Sequence, residues 1–175
     1  MHYYIISGEL SGDLYGSYLI RALKQDDTNA NFTCWGGDYM KHEGGDVVVN
    51  LSSLSFMGFW EVLKNSRTIL RNLFFAKKHI KYINPDALVL IDYPGFNIKI
   101  AEYAKRHSIP VFWFVAPQLW AWNGGRIKKI QKYVNALFVA LPFEKNYFKK
   151  RGVNTFYFGH PIVDVMQNNM QHNKI

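Results

Sequence analysis

Val89-Leu90-Ile91-Asp92-Tyr93-Pro94-Gly95-Phe96-Asn97 decides how this chain folds. The apolar run leading into it, residues 87–91, suits a buried strand and is short for a helix. It ends in the carboxylate of Asp92, and Pro94 with Gly95 then turn the chain. Ile98, Ile100, Ala101 and Ala104, with Lys99, Glu102 and Lys105 between them, have the spacing of an amphipathic helix. In an open α/β sheet, ligands bind beyond the carboxyl ends of the strands, so Asp92 stands where chemistry is expected. Aspartate also favours turns and helix starts, so Asp92 reads two ways, as a site carboxylate or as a cap.

The same alternation extends in both directions. Upstream, residues 3–7 read as a strand, followed by Gly8-Glu9-Leu10-Ser11-Gly12-Asp13 and a helical pattern through Leu14, Tyr18, Leu19, Ala22 and Leu23. Glycines at 8, 12 and 16 do not form the G-x-G-x-x-G fingerprint, and the G-K-[ST] of a P-loop is missing. Glu9 and Asp13 would repel a phosphate cradled there. The glycines instead suit a close approach to the backbone, and Glu9 suits hydroxyl binding. Ser11 and Asp13 also fit an N-cap and a first-turn acid. Further strands are predicted at 31–35, 47–49, 109–115, 136–141 and 155–158, with helices at 39–43, 61–83, 125–133 and from Pro142 to about Arg151. The polar tail, 167–175, is expected to fray. Strands alternating with helices predict an α/β fold with a doubly wound, mainly parallel, Rossmann-like sheet.

Two stretches are not explained by turn chemistry. Residues 51–60 hold Phe56, Met57 and Trp60 around Gly58 and read as a loop exposing large side chains. In Pro117-Gln118-Leu119-Trp120-Ala121-Trp122, two tryptophans follow a strand end, where rings stack on sugars, line an apolar pocket or pack beneath the loop. The helix at 61–83 has a core face that includes Ile69, Leu70, Leu73, Ala76 and Ile80. Its other face mixes Trp60, Lys64, Arg67, Arg71, Phe74, Phe75, Lys78 and Lys81. That mixture fits a membrane interface, a packed contact with another domain, or nucleic acid. His160, between Gly159 and Pro161, reads as a ligand-binding residue, a base or a turn residue.

Bulk properties narrow the class. The chain has 175 residues and is 49% hydrophobic, which suits one domain with a sizeable core; 17% aromatic content argues against disorder. A single cysteine, Cys34, excludes a disulfide framework and a thiolate cluster, as expected of a reducing, cytosolic setting. The first eight residues lack the features of a signal peptide, and no run approaches the ~18 apolar residues of a membrane span. Residues 1–60 hold three Lys/Arg and seven Asp/Glu, whereas 61–175 hold eighteen and six. The basic part suits phospholipid, nucleic acid or a phosphorylated substrate, or is simply a solvated surface.

Taken together, the motifs resemble one family, lipid-A-disaccharide synthase. The residues that carry the resemblance are Ser7 to Asp13, Gly36-Gly37, Leu54-Ser55-Phe56-Met57-Gly58 with Glu61-Val62-Leu63, and Ile91 to Asn97. After them come Ala116 to Trp122, Leu141-Pro142-Phe143-Glu144 and Gly159-His160-Pro161. The resemblance implies a GT-B glycosyltransferase, of which residues 1–162 are the N-terminal, acceptor-side domain. Residues 163–175 would begin a linker, and the UDP-binding domain would lie outside this chain, leaving the chain alone inactive. The implied reaction joins UDP-2,3-diacylglucosamine to 2,3-diacylglucosamine 1-phosphate, inverting the anomeric centre to give a β-1,6 disaccharide and UDP. It needs no metal or cofactor. Asp92 is the implied base. Glu9, Ser11 and Gly12, then Asn97, Gln118, Trp120, Trp122 and His160, are the implied substrate side. Phe56, Met57, Trp60, Lys64, Arg67, Arg71, Phe74 and Phe75 would meet acyl chains and an anionic membrane, with no role for nucleic acid. The implied setting is the inner face of the inner membrane of a Gram-negative bacterium, with a possible homo-oligomer. Gly95 departs from the family, which commonly has a second aspartate there. The alternatives are another GT-B sugar-nucleotide enzyme, an epimerase or transferase, and a non-enzymatic basic membrane-binding module.

Overall fold

A computed structural model of the chain describes residues 1–51, 66–116 and 125–172. Seven parallel strands form one sheet: β1 (His2–Ser7), β2 (Asn31–Gly36), β3 (Asp46–Asn50), β4 (Ala87–Ile91), β5 (Val111–Phe114), β6 (Ala136–Phe138) and β7 (Thr155–Phe156). Their order is β3-β2-β1-β4-β5-β6-β7. The expected doubly wound α/β fold is therefore present.

The strands alternate between two buried faces, as a parallel sheet covered on both sides requires. Tyr4, Ile6, Leu88 and Leu90 join a core with Trp113, closed by Leu73, Ala76 and Ile80 of α3 (Ser66–Ile83) and by Phe96 and Ile100 of α4 (Pro94–Arg106). Helix α4 also packs against α5 (Gly125–Tyr133), which buries Ile127 and Ile130. Ile5, Val89 and Ile91 point the other way. They meet Ile20 of α1 (Leu10–Asp26) and Met40 of α2 (Asp38–His42). Two further helices, α6 (Pro142–Lys149) and α7 (Pro161–His172), follow β6 and β7.

Asp13 joins α1 to α2. It lies in the first turn of α1, as expected, but its carboxylate serves the other helix. Oδ1 accepts from the backbone N–H of Gly37 (2.7 Å) and of Met40 (3.1 Å), and Oδ2 from that of Tyr39 (3.1 Å). It thereby satisfies amides at the start of α2. Cys34 lies in the same core as Ile20 and Met40, where burial pushes the thiol up to about 12.

Several boundaries depart from the sequence reading. The N-cap of α1 is Glu9, not Ser11, which is exposed inside the helix. β5 stops at Phe114 because Val115 takes a positive φ of 62°, and β6 ends at Phe138, short of the predicted 141. Leu70, assigned to the core, is 61% exposed. Phe75, assigned to the outward face, is 43% exposed as expected and also leans on Trp35 (ring centres 6.0 Å apart) and stacks on His79 (5.6 Å). The polar tail is helical through His172, started by Pro161 and anchored by buried Val165.

Replacing Asp13 with Ala leaves buried amide donors of α2 without an acceptor. Asp13→Ala is expected to cost about 3 kcal/mol in urea unfolding. A loss under about 0.5 kcal/mol, the usual range for a surface substitution, would show that the three bonds contribute little.

Candidate active site

The strand order reverses between β1 and β4, where Ser7 pairs with Ile91. The chain leaves these two strands toward opposite faces, through α1 and α4, opening a crevice at their carboxyl ends. Glu9 follows β1 and Asp92 follows β4, so both acids stand at this switch point.

The local sequence builds a sharp exit from β4. Asp92 (φ 46°) and Tyr93 (φ 49°) are both left-handed, and Pro94 opens α4 with its φ already suited to a helix. Aspartate tolerates this backbone better than most residues, whereas tyrosine is strained in it. Asn97 holds the turn. Its Nδ2 donates to the carbonyls of Asp92 (2.8 Å) and Ile91 (3.3 Å), and its backbone N–H donates to Tyr93 (3.0 Å). The Tyr93 ring stacks on Phe96 at 5.0 Å and lies so close over Gly8 that any Cβ there would collide with it.

Asp92 opens onto a cavity of about 290 Å³, lined also by Tyr15, Val115, Ala116, Ala140, Leu141, Glu144 and His160. These residues come from α1, from the ends of β5 and β6, from the first turn of α6 and from the turn after β7. Val115, a β-branched residue at φ 62°, is a second strained strand end facing the same space. Burial chiefly, and the charge of Glu9 next, raise the Asp92 carboxyl above its ordinary value; a bond from the Tyr93 N–H pulls weakly the other way. A carboxylate held so is a stronger base than one in water, and it faces room for a ligand.

The structure sorts the expected site residues. Asp92 and His160 line the cavity, and Glu9 acts on it through Asp92. His160 packs edge-on to Tyr15 (6.3 Å), and its Nδ1 accepts from the Ile162 N–H (3.1 Å), which leaves Nε2 as its donor. Asn97, expected on the substrate side, is wholly buried and positions the turn. Gly12 is also buried. A Cβ there would strike Ser7 Oγ and press on Ile91, so its bareness lets α1 approach the sheet rather than a ligand. Ser11 is exposed and lines no described cavity with Asp92. Gln118, Trp120, Trp122, Phe56, Met57, Trp60 and Lys64 lie outside the described residues. At Gly95 an added side chain would meet nothing within 4 Å, so packing does not demand glycine there.

Glu144 and Tyr15 were not singled out as site residues. Glu144 is buried at N3 of α6, where its Oε2 accepts the Leu141 N–H (3.0 Å), half of a capping box. Its placement after Pro142 signalled a helix start; only the sheet brings it to the cavity. Tyr15 sits among core-spaced positions of α1 and gave no separate signal.

A family described as lipid-A-disaccharide synthetase matches residues 3–175. The chain is 39% identical over 171 residues to a lipid-A-disaccharide synthase of Coxiella burnetii (strain Dugway 5J108-111), covering 98% of this chain and 46% of that protein. It is 38% identical over 163 residues to one from Trichlorobacter lovleyi, covering 93% and 43%. The chain thus spans somewhat less than half the length of these relatives. Among solved structures, UDP-GlcNAc 2-epimerase from Neisseria meningitidis bound to UDP-GlcNAc shares the fold with a TM-score of 0.71 at 11% identity, over all of this chain and 50% of that one. MurG of Acinetobacter baumannii shares it at 0.57 and 12% identity, over 91% and 45%. With the family matching over nearly its whole length, the chain belongs to the lipid-A-disaccharide synthetase family.

Proposed function

We propose that this chain is the acceptor-side half of a glycosyltransferase that joins UDP-2,3-diacylglucosamine to 2,3-diacylglucosamine 1-phosphate, forming the lipid A disaccharide and releasing UDP. The observation that carries the reading is Asp92, raised in basicity at the switch point and open to the cavity. Asp92 takes the proton of the acceptor's 6-hydroxyl as that oxygen attacks the anomeric carbon. The bond to UDP breaks with its electron pair leaving on the phosphate, and the anomeric centre inverts in one displacement. Glu9 keeps Asp92 basic and offers acceptor contacts for sugar hydroxyls. Donors that stabilise the departing UDP come mainly from the part of the relatives' length outside this chain. No metal or cofactor enters this scheme.

The acylated substrates call for an interface, and we place it on α3. Leu70 (61% exposed), Phe74 (72%) and Tyr82 (82%) project from a helix whose outward positions include Arg67, Arg71, Lys78 and Lys81. Apolar side chains flanked by cations suit the headgroup region of an anionic bilayer, on the inner face of the inner membrane of a Gram-negative bacterium. Among the described residues no helix is long and apolar enough to cross a membrane.

Asp92→Asn, assayed in a protein spanning the relatives' full length, should lose roughly 10²–10⁴-fold in disaccharide formation. Asparagine keeps the left-handed turn and removes the charge. Because the folded Asp92 value is raised, wild-type stability falls as pH climbs from the ordinary carboxylate range through that value. The variant should therefore melt above wild type near neutrality and alike in acid. Retained activity would remove Asp92 as the base.

Glu9→Gln takes away a charge that disfavours ionised Asp92, so the acid limb of kcat/KM should move to lower pH. An unmoved limb would separate the two acids.

Leu70→Asp with Phe74→Asp should weaken binding to phosphatidylglycerol vesicles by at least about tenfold, since each apolar side chain contributes ~1.5–3 kcal/mol when buried. Unchanged binding would remove α3 from the interface.

A further inference from the structure

We propose that the cleft where α3, α4 and α5 meet binds the phosphate group of an anionic phospholipid. This rests on the membrane reading of α3 and adds to it a defined headgroup site. Lys77, Lys99, Glu102, Tyr103, Arg106 and Lys129 line a cleft of about 310 Å³, and none of them borders the Asp92 cavity. Arg106 is paired with Glu102 at 2.6 Å, one turn apart on α4. Lys77, Lys99 and Lys129 have no ion-pair partner among the described residues. Three unpaired ammonium groups around one cleft repel each other, and an anion seated among them relieves that repulsion. A phosphate accepts from several such donors at once.

The floor of the cleft is held in place. The Tyr103 ring packs on His107 at 4.1 Å between centres, and the Lys77 ammonium stands 5.8 Å from the Tyr103 ring centre. Lys77 is half-buried, so part of the charge is anchored rather than swinging freely in solvent.

The surroundings identify the anion's source. Helices α3, α4 and α5 together carry twelve Lys/Arg and one acid, Glu102. Helices α1 and α2, on the opposite face, carry three of each sign. The charge therefore forms one layer, as suits a flat anionic surface. At 100° per residue, Lys77, Leu70, Lys81, Phe74 and Arg67 fall within about a quarter-turn of α3. The cleft thus continues directly into the exposed apolar residues. Leu70 and Phe74 offer apolar surface to an acyl layer beside a flat layer of cations, which favours a bilayer lipid over RNA.

The test uses the exposed, unpaired lysines, whose replacement leaves the core intact. Lys99→Gln with Lys129→Gln is measured against Lys145→Gln with Lys149→Gln, an equal loss of charge on α6. Vesicles of phosphatidylcholine with and without phosphatidylglycerol, dihexanoyl-phosphatidylglycerol, inorganic phosphate and single-stranded RNA are the probes, and thermal melts verify folding. The cleft pair should lose about 30-fold in affinity for phosphatidylglycerol vesicles, from about fivefold per cation. It should also lose the amide shifts that the short-chain lipid produces at Lys77 and Tyr103. The α6 pair should lose much less. Equal losses by both pairs would overturn the site in favour of general attraction. The same amide shifts with inorganic phosphate at equal affinity, or tighter binding to RNA than to vesicles, would overturn the lipid assignment. If the cleft pair binds as wild type while Leu70→Asp/Phe74→Asp does not, the cleft is overturned and the α3 interface stands. If the wild type ignores anionic vesicles, both are overturned.

Discussion

The parallel pairing of β1 with β4, Ser7 beside Ile91, is the constraint on which the rest of this structure depends. Parallel strands cannot be joined by a hairpin, so each must be followed by a helix that crosses to one face of the sheet. The strand order turns back between these two, and α1 and α4 consequently leave on opposite faces. The two loops that follow these strands diverge and open a crevice at the switch point. It holds Glu9 and Asp92. Burial there chiefly, and the proximity of Glu9 next, raise the Asp92 carboxyl. The basicity thus follows from topology as much as from residue type.

Holding Asp92 there carries a conformational cost. Two consecutive left-handed residues and a strained valine at the end of the neighbouring strand are each unfavourable by roughly 1–3 kcal/mol. Asn97 holds the first of these strains through bonds to the Asp92 and Ile91 carbonyls, and Phe96 does so by filling the core beneath Tyr93. The residues that position the turn are therefore buried, while Asp92, Tyr15, Glu144 and His160 are among the described residues that line the cavity.

The two faces of the sheet have separate characters. The face covered by α1 and α2 is electrically balanced and tied together by Asp13, whose carboxylate is spent on backbone amides. The face covered by α3, α4 and α5 concentrates the positive charge of the chain and exposes Leu70, Phe74 and Tyr82.

Period-2 and period-3.6 patterns are local, so the sequence by itself determined the alternating elements, the parallel sheet and the position of Asp92 at a strand end. The ordered motifs from Ser7 to Pro161 likewise pointed to the family. Other features depend on residues distant in sequence. Asp13 reads as an ordinary first-turn acid until α2 is docked above it. The burial of Asn97 and Gly12 is not legible in their local sequence, and Leu70 reads as core by spacing alone. Glu144 enters the cavity only because β6 lies next but one to β4. Tertiary structure decided these cases, because burial and hydrogen-bond partners depend on which strands become neighbours, and no local periodicity encodes that.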